Sequence, residues 1–300
     1  MRKIAYSTLG CPDWNWKQLI ERGTEYGYDG VEIRLIERET NLLIRPEFQA
    51  SQLANRRADL ADAGFQVCGL ASSVRFDFPD ESEWRRQIDV GKAYVDLAAE
   101  LGARFVRVFG DVLPENADEK TRQAAIANIA EGLQLLGEYA ESIGPDVIIE
   151  THGDYADSRL VRETLARVES PAVGVLWDTH HPWKFCGETV EATFANLQPW
   201  VRHTHWKDSV ARSAQDHDEQ ARQAAELAHS LMSGHQHADY VLFGEGEFPI
   251  AECLRLLRDT EYDGWYSLEW EKMWHPELDD PEIALPPFPE KLRELWESAG

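Results

Sequence analysis

Short runs of β-branched and aromatic residues alternate with longer amphipathic stretches along almost the whole chain. Strand-like segments fall at 3–7, 30–34, 65–70, 105–109, 147–150, 173–178, 201–205 and 265–269. Helix-like stretches follow them near 16–26, 46–63, 81–101, 121–143, 158–168, 190–197, 216–232 and 289–298. Parallel neighbours need a helix-length crossover, so this alternation predicts a parallel sheet. Eight such units in 300 residues suit an α/β fold of the (β/α)8 TIM barrel type, one domain over 1–300. An open nucleotide-binding sheet would want a Gly-rich turn after the first strand. The chain has Leu9-Gly10-Cys11-Pro12-Asp13 there, with no GxGxxG.

Composition narrows the partners. The formal charge is −24 and the isoelectric point is near 4.7. Such a surface repels polyphosphate backbones and anionic lipid, which argues against nucleic-acid and membrane partners. No run approaches the ~20 apolar residues of a membrane span. The start, Met1-Arg2-Lys3-Ile4-Ala5-Tyr6-Ser7, enters a strand without an apolar leader, so a cytoplasmic protein is expected. Cys11, Cys68, Cys186 and Cys253 are scattered, which reads as free thiols. A homo-oligomer is compatible with this composition, which does not fix the oligomeric state.

Four segments of the second half end in metal-ligand residue types: Glu150, Asp178, His205 and Glu269. A carboxylate buried alone in an apolar run is costly. At the same end of successive parallel strands the four become neighbours, and one divalent cation compensates them together. Strand alternation puts Glu150 with Ile148, Asp178 with Leu176, His205 with His203, and Glu269 with Ser267, so a common inward orientation is allowed. Three carboxylates and an imidazole suit Mn²⁺, Mg²⁺, Co²⁺ or Zn²⁺. With no thiolate nearby, the pattern reads as a catalytic site.

The chain resembles the xylose isomerase-like TIM barrels, the sugar phosphate isomerases and epimerases. The strings that carry the likeness are STLGCPDW, GYDGVEIR, IIETHG, WDTHHP, HTHWKD, FGEGEF and WYSLEWE, in that order over nearly the whole chain. The resemblance implies Glu150, Asp178, His205 and Glu269 as ligands of one divalent metal ion. It implies Glu150 and Glu269 as the acid/base pair, with His181 facing substrate or a second metal and Lys207 and Asp208 matching an H-x-K-D ending. The implied activity is a metal-dependent sugar isomerase or epimerase. It would abstract a proton next to a carbonyl through a metal-stabilised enediolate, on a small sugar or polyol.

Further candidates surround this set. His152, Glu32, Arg107 and Trp14 join His181 and Lys207 as expected substrate contacts. Glu32 reads alternatively as a buried partner of Arg34 or Arg107, and Lys207 as a partner of Asp208. His203 reads as a satisfied core residue. Trp14, Trp16, Trp183, Trp206 and Trp274 flank strand ends and are expected to offer stacking faces. Trp177 and Trp270 are expected under the helices. The long connection after the seventh strand carries an expected helical insertion near 211–240, a candidate lid with His235 and His237 at its end. A dehydratase or lyase acting on a keto-sugar or cyclitol is the alternative activity. A DNA-repair endonuclease of the same barrel class would need histidines at the third and fourth strand ends. Those ends read Leu70-Ala71-Ser72-Ser73 and Val108-Phe109-Gly110-Asp111. A non-catalytic binding barrel would not need the complete ligand set.

Overall fold

A computed structural model describes residues 3–114, 117–211 and 234–299. Eight parallel strands close into a barrel: β1 (Lys3–Ser7), β2 (Gly30–Ile33), β3 (Gln66–Arg75), β4 (Phe105–Phe109), β5 (Asp146–Glu150), β6 (Val173–Asp178), β7 (Val201–Trp206) and β10 (Trp265–Leu268). The circuit runs β1-β10-β7-β6-β5-β4-β3-β2, so the expected (β/α)8 barrel is the fold. Two short strands, β8 (Asp208–Val210) and β9 (Asp239–Val241), form an antiparallel pair that the sequence reading did not foresee. They bracket the long connection. The helix expected at 216–232 lies outside the described residues. Pro281 and Pro289 stand at the starts of the helices Pro281–Ala284 and Phe288–Ser298, where a missing N–H costs nothing.

The alternation of inward and outward residues is visible in what packs where. Ala5, Cys68, Phe105, Ile148, Leu176 and Trp265 form a separate apolar cluster inside the barrel. The His203 ring lies 4.3 Å from that of Phe105 in the same interior. Outward residues such as Val147, Ile149, Val175 and Trp177 join the larger core beneath the helices. Trp177 contacts Phe194 at 5.4 Å between ring centres. An apolar plug below and polar strand ends above is the arrangement that puts chemistry at the carboxyl face of such barrels. All four cysteines are free. No helix among the described residues is long and apolar enough to cross a membrane.

Candidate metal centre

The barrel ladder brings four strand ends into register. Asp178 on β6 pairs with His205 on β7, and His205 pairs with Ser267 on β10. The Glu269 N–H donates to the Trp206 carbonyl at 3.0 Å, so the ladder extends to Glu269 just beyond β10. One ligand atom each from Glu150, Asp178, His205 and Glu269 lies within 4.8 Å of the other three. All four side chains are buried.

Local hydrogen bonds aim these atoms. Asp178 Oδ1 accepts the backbone N–H groups of His180 and His181, both at 2.9 Å, at the start of the helix His181–Cys186. That leaves Oδ2 facing the centre. His205 Nε2 donates to Glu32 Oε2 at 2.8 Å, which turns Nδ1 inward. Nδ1 then lies 3.3 Å from Glu150 Oε1 and 3.1 Å from Glu269 Oε2. Neither Asp178 Oδ2 nor His205 Nδ1 has a hydrogen bond of acceptable geometry. The atoms converge on a common point, within ion-pair distance of one another. Three carboxylates and one imidazole so arranged, with a carboxylate behind the histidine, fit a divalent cation.

Charges of both signs are packed tightly around this point. Lys207 Nζ lies 2.9 Å from Asp178 Oδ2, 2.5 Å from Glu269 Oε2 and 2.6 Å from Glu271 Oε1. Burial alone would strip its proton, but Asp178, Glu269 and Glu271 hold its pKa well above the ordinary lysine value. Burial likewise disfavours charge on His205, yet Glu269 and Glu32 push its pKa well up. Burial raises Glu269, and His205 and Lys207 overcome it to hold the carboxyl well below its usual range. Glu150 is lowered too, burial being outweighed by Arg107, whose Nε is 3.2 Å away. His181 is driven well below its usual value by burial and then by Lys207. Its Nδ1 faces the Thr151 carbonyl at 2.9 Å, so the neutral ring donates there and accepts from Lys207 at 3.2 Å through Nε2.

A cavity opens beside the cluster. Leu9, Arg34, Arg107, Phe109, Trp274 and His235 are among the side chains on its wall, together with Glu150, His152, His181, Glu269 and Glu271. His152 is steadied by Asp111, with Nδ1 to Oδ1 at 2.8 Å. The chain then turns at Gly153, whose φ is +59°. A Cβ there would meet the Asp111 carbonyl at 2.8 Å, so the turn that delivers His152 requires glycine. His235 reaches the cavity from the end of the long connection, its Nε2 3.1 Å from His275 Nε2.

Several expectations change. Trp14 is a core residue and does not line the cavity; it packs 6.3 Å from the Tyr6 and Tyr26 rings. Trp16 and Trp206 are also buried in that core, and Trp274 alone of the strand-end tryptophans lines the cavity. Glu32 is fully buried below the site and absent from the cavity wall. Its partners are His203 and His205, at 2.7 and 2.8 Å, rather than Arg34 or Arg107. Lys207 does not pair with Asp208, whose carboxylate instead accepts the N–H groups of Gly244, Gly246 and Phe248. Lys207 stands behind the carboxylates rather than on the wall. Glu271 was missed. Its signal was the Glu269-Trp270-Glu271 spacing, which returns a second carboxylate to the face of the first.

The sequence profile of the family described as xylose isomerase-like TIM barrel matches residues 20–288, and the chain belongs to that family. It is 25% identical to fructoselysine 3-epimerase of Shigella flexneri over 287 residues, 91% of this chain and 90% of that one. It is 26% identical to inosose dehydratase 1 of Bacillus cereus over 160 residues, 53% of this chain and 49% of the relative. Among solved structures, the IOLI protein with a bound zinc atom superposes with a TM-score of 0.74 at 16% identity, covering 99% of each chain. The relatives include carbohydrate epimerases and dehydratases.

Proposed function

We propose that the protein is a divalent-metal-dependent sugar epimerase or isomerase, with Glu150, Asp178, His205 and Glu269 as the ligands. The observation that carries this reading is the convergence of those four buried side chains on one point beside a polar cavity. The likeness to fructoselysine 3-epimerase supports the reaction class, and the zinc of the IOLI protein, a barrel of the same fold, supports the cofactor. A bound divalent ion supplies Lewis acidity, which makes a C–H beside a substrate carbonyl acidic enough to lose its proton.

The chain's own residues do the rest. Glu150 and Glu269 both line the cavity and are both held ionised, by Arg107 and by His205 with Lys207 respectively. Glu150 takes the proton from carbon. Glu269, receiving a proton from the Lys207 ammonium 2.5 Å from its Oε2, delivers it to the opposite face, which inverts that carbon. The proton on Glu150 then goes to solvent and Lys207 is reprotonated. Return to the neighbouring carbon gives isomerisation. His152, its Nδ1 held by Asp111, offers its other ring nitrogen for a substrate hydroxyl, and the His181 ring, engaged by Thr151 and Lys207, forms the wall beside it. Phe109, Leu9 and Trp274 give the apolar faces that shed water from the sugar.

A second reading is loss of water from a keto-sugar or cyclitol, supported by the likeness to inosose dehydratase 1. The same first proton transfer serves it, followed by departure of the neighbouring hydroxyl. The test is incubation of the Mn²⁺-loaded protein in D2O with ketoses, keto-cyclitols and keto-sugar acids, read by mass spectrometry. Deuterium gain without mass loss supports the epimerase, and loss of water supports the dehydratase. No exchange across the panel, with metal bound, would count against both.

A further inference from the structure

Two arginines on the cavity wall, Arg34 and Arg107, keep N–H groups that this chemistry does not engage. Arg34 follows β2, its backbone N–H fixed to Thr8 Oγ1 at 2.9 Å. Its side chain donates to Ser73 Oγ at 2.9 Å through Nη2, while Nη1 is buried and has no partner. Arg107 projects from β4 with its guanidinium 3.8 Å over the Phe109 ring. Its Nη1 is likewise buried without a partner. The two residues are 5% and 2% exposed and both line the cavity.

A buried guanidinium with unused N–H groups is costly, and such groups are normally matched by an acceptor. Burial, then the neighbouring Arg107, pulls Arg34 down to about 10, which leaves it charged at neutral pH while marking a cost that the protein does not offset. Both Nη1 groups therefore want an acceptor that the described residues do not supply.

We infer that the substrate is a sugar acid, whose carboxylate docks on the free N–H groups of Arg34 and Arg107 while its carbonyl end meets the metal centre. The inference rests on the reading of the site as a metal-dependent sugar enzyme. A planar monoanion fits a guanidinium fork in both geometry and charge. A phosphate monoester offers similar acceptors with close to two charges at neutral pH, and the binding comparison separates the two.

The test compares binding of 2-keto-D-gluconate, D-fructose and D-fructose 6-phosphate to Mg²⁺-loaded protein by calorimetry. The first two share their skeleton and differ in the carboxylate. Glycolate against ethylene glycol serves as a fragment pair, read by the same calorimetry. Preference for the acid in each pair by about tenfold or more, falling to about threefold or less in Arg34→Gln and partly kept in Arg34→Lys, is expected. Equal binding of acid and neutral partner, or a preference unchanged in Arg34→Gln, overturns the inference. So does tighter, Arg34-dependent binding of D-fructose 6-phosphate, which would assign the arginines to a phosphoryl group. If neither sugar binds, the glycolate pair decides by the same criteria. Deuterium exchange into neutral ketoses alone would leave the metal-enzyme reading standing and remove the sugar acid; Arg34-dependent acid binding without any exchange would do the reverse.

Discussion

Glu32 Oε2 lies 2.8 Å from His205 Nε2, and this bond fixes which nitrogen of His205 faces the carboxylates. Glu32 also takes the Nε2 hydrogen of His203 at 2.7 Å. Burial would raise its carboxyl, but the two imidazoles overcome that and hold it well below the usual range. The negative charge raises the basicity of His205 and would strengthen its bond to a bound cation. Glu32→Gln keeps the shape and removes the charge. Mn²⁺ affinity is expected to fall by about 10–100-fold, with the fold retained. Unchanged affinity in a metal titration would show that Glu32 is a core residue without influence on the centre.

Lys207 neutralises three buried carboxylates from behind. In Lys207→Met those charges lose their partner. The variant is expected to lose about 3–5 kcal/mol of stability in chelator, as buried pairs do when one member is removed. Saturating Mn²⁺ is expected to recover part of that loss, because a cation that binds only the folded state stabilises it. Urea unfolding with and without Mn²⁺ reads both quantities. Equal destabilisation in the two conditions would separate Lys207 from the metal centre.

Trp14 and Trp274 are expected to behave oppositely. Trp14 is packed in the core, so Trp14→Ala should cost about 3–5 kcal/mol in urea unfolding and leave ligand affinity of the folded protein unchanged. Trp274 lines the cavity and is 8% exposed, so Trp274→Ala should weaken ligand binding with a smaller stability cost. A loss of affinity in Trp14→Ala would return Trp14 to the site.

The strands and the clustering of Glu150, Asp178, His205 and Glu269 at their ends were legible because each signal is local. Apolar runs with helix-length gaps spell out parallel strands, and a carboxylate or histidine at the end of each run stands out against them. The role of Glu32 was not legible. It depends on a side chain 173 residues away across the barrel, at a depth that strand alternation does not give. Trp14 was misread because flanking a strand end says nothing about which way a loop side chain turns; its partners, Tyr6 and Tyr26, lie outside the barrel wall. The β8–β9 pair was hidden by its size, three residues a strand, with only Asp208 and its turn of amides to mark it. Glu271 follows the last strand by three residues and required the alternation to be carried past the strand's end.

The central claim is that Glu150, Asp178, His205 and Glu269 hold one divalent ion. The direct measurement is titration of chelator-treated protein with Mn²⁺, followed by electron paramagnetic resonance, in the native sequence and in Asp178→Asn. The account predicts one ion per chain and an affinity at least about 100-fold weaker in the variant, since a carboxylate that binds through one charged oxygen is replaced by a neutral amide. Absence of stoichiometric Mn²⁺ binding, or binding that Asp178→Asn leaves untouched, would contradict it.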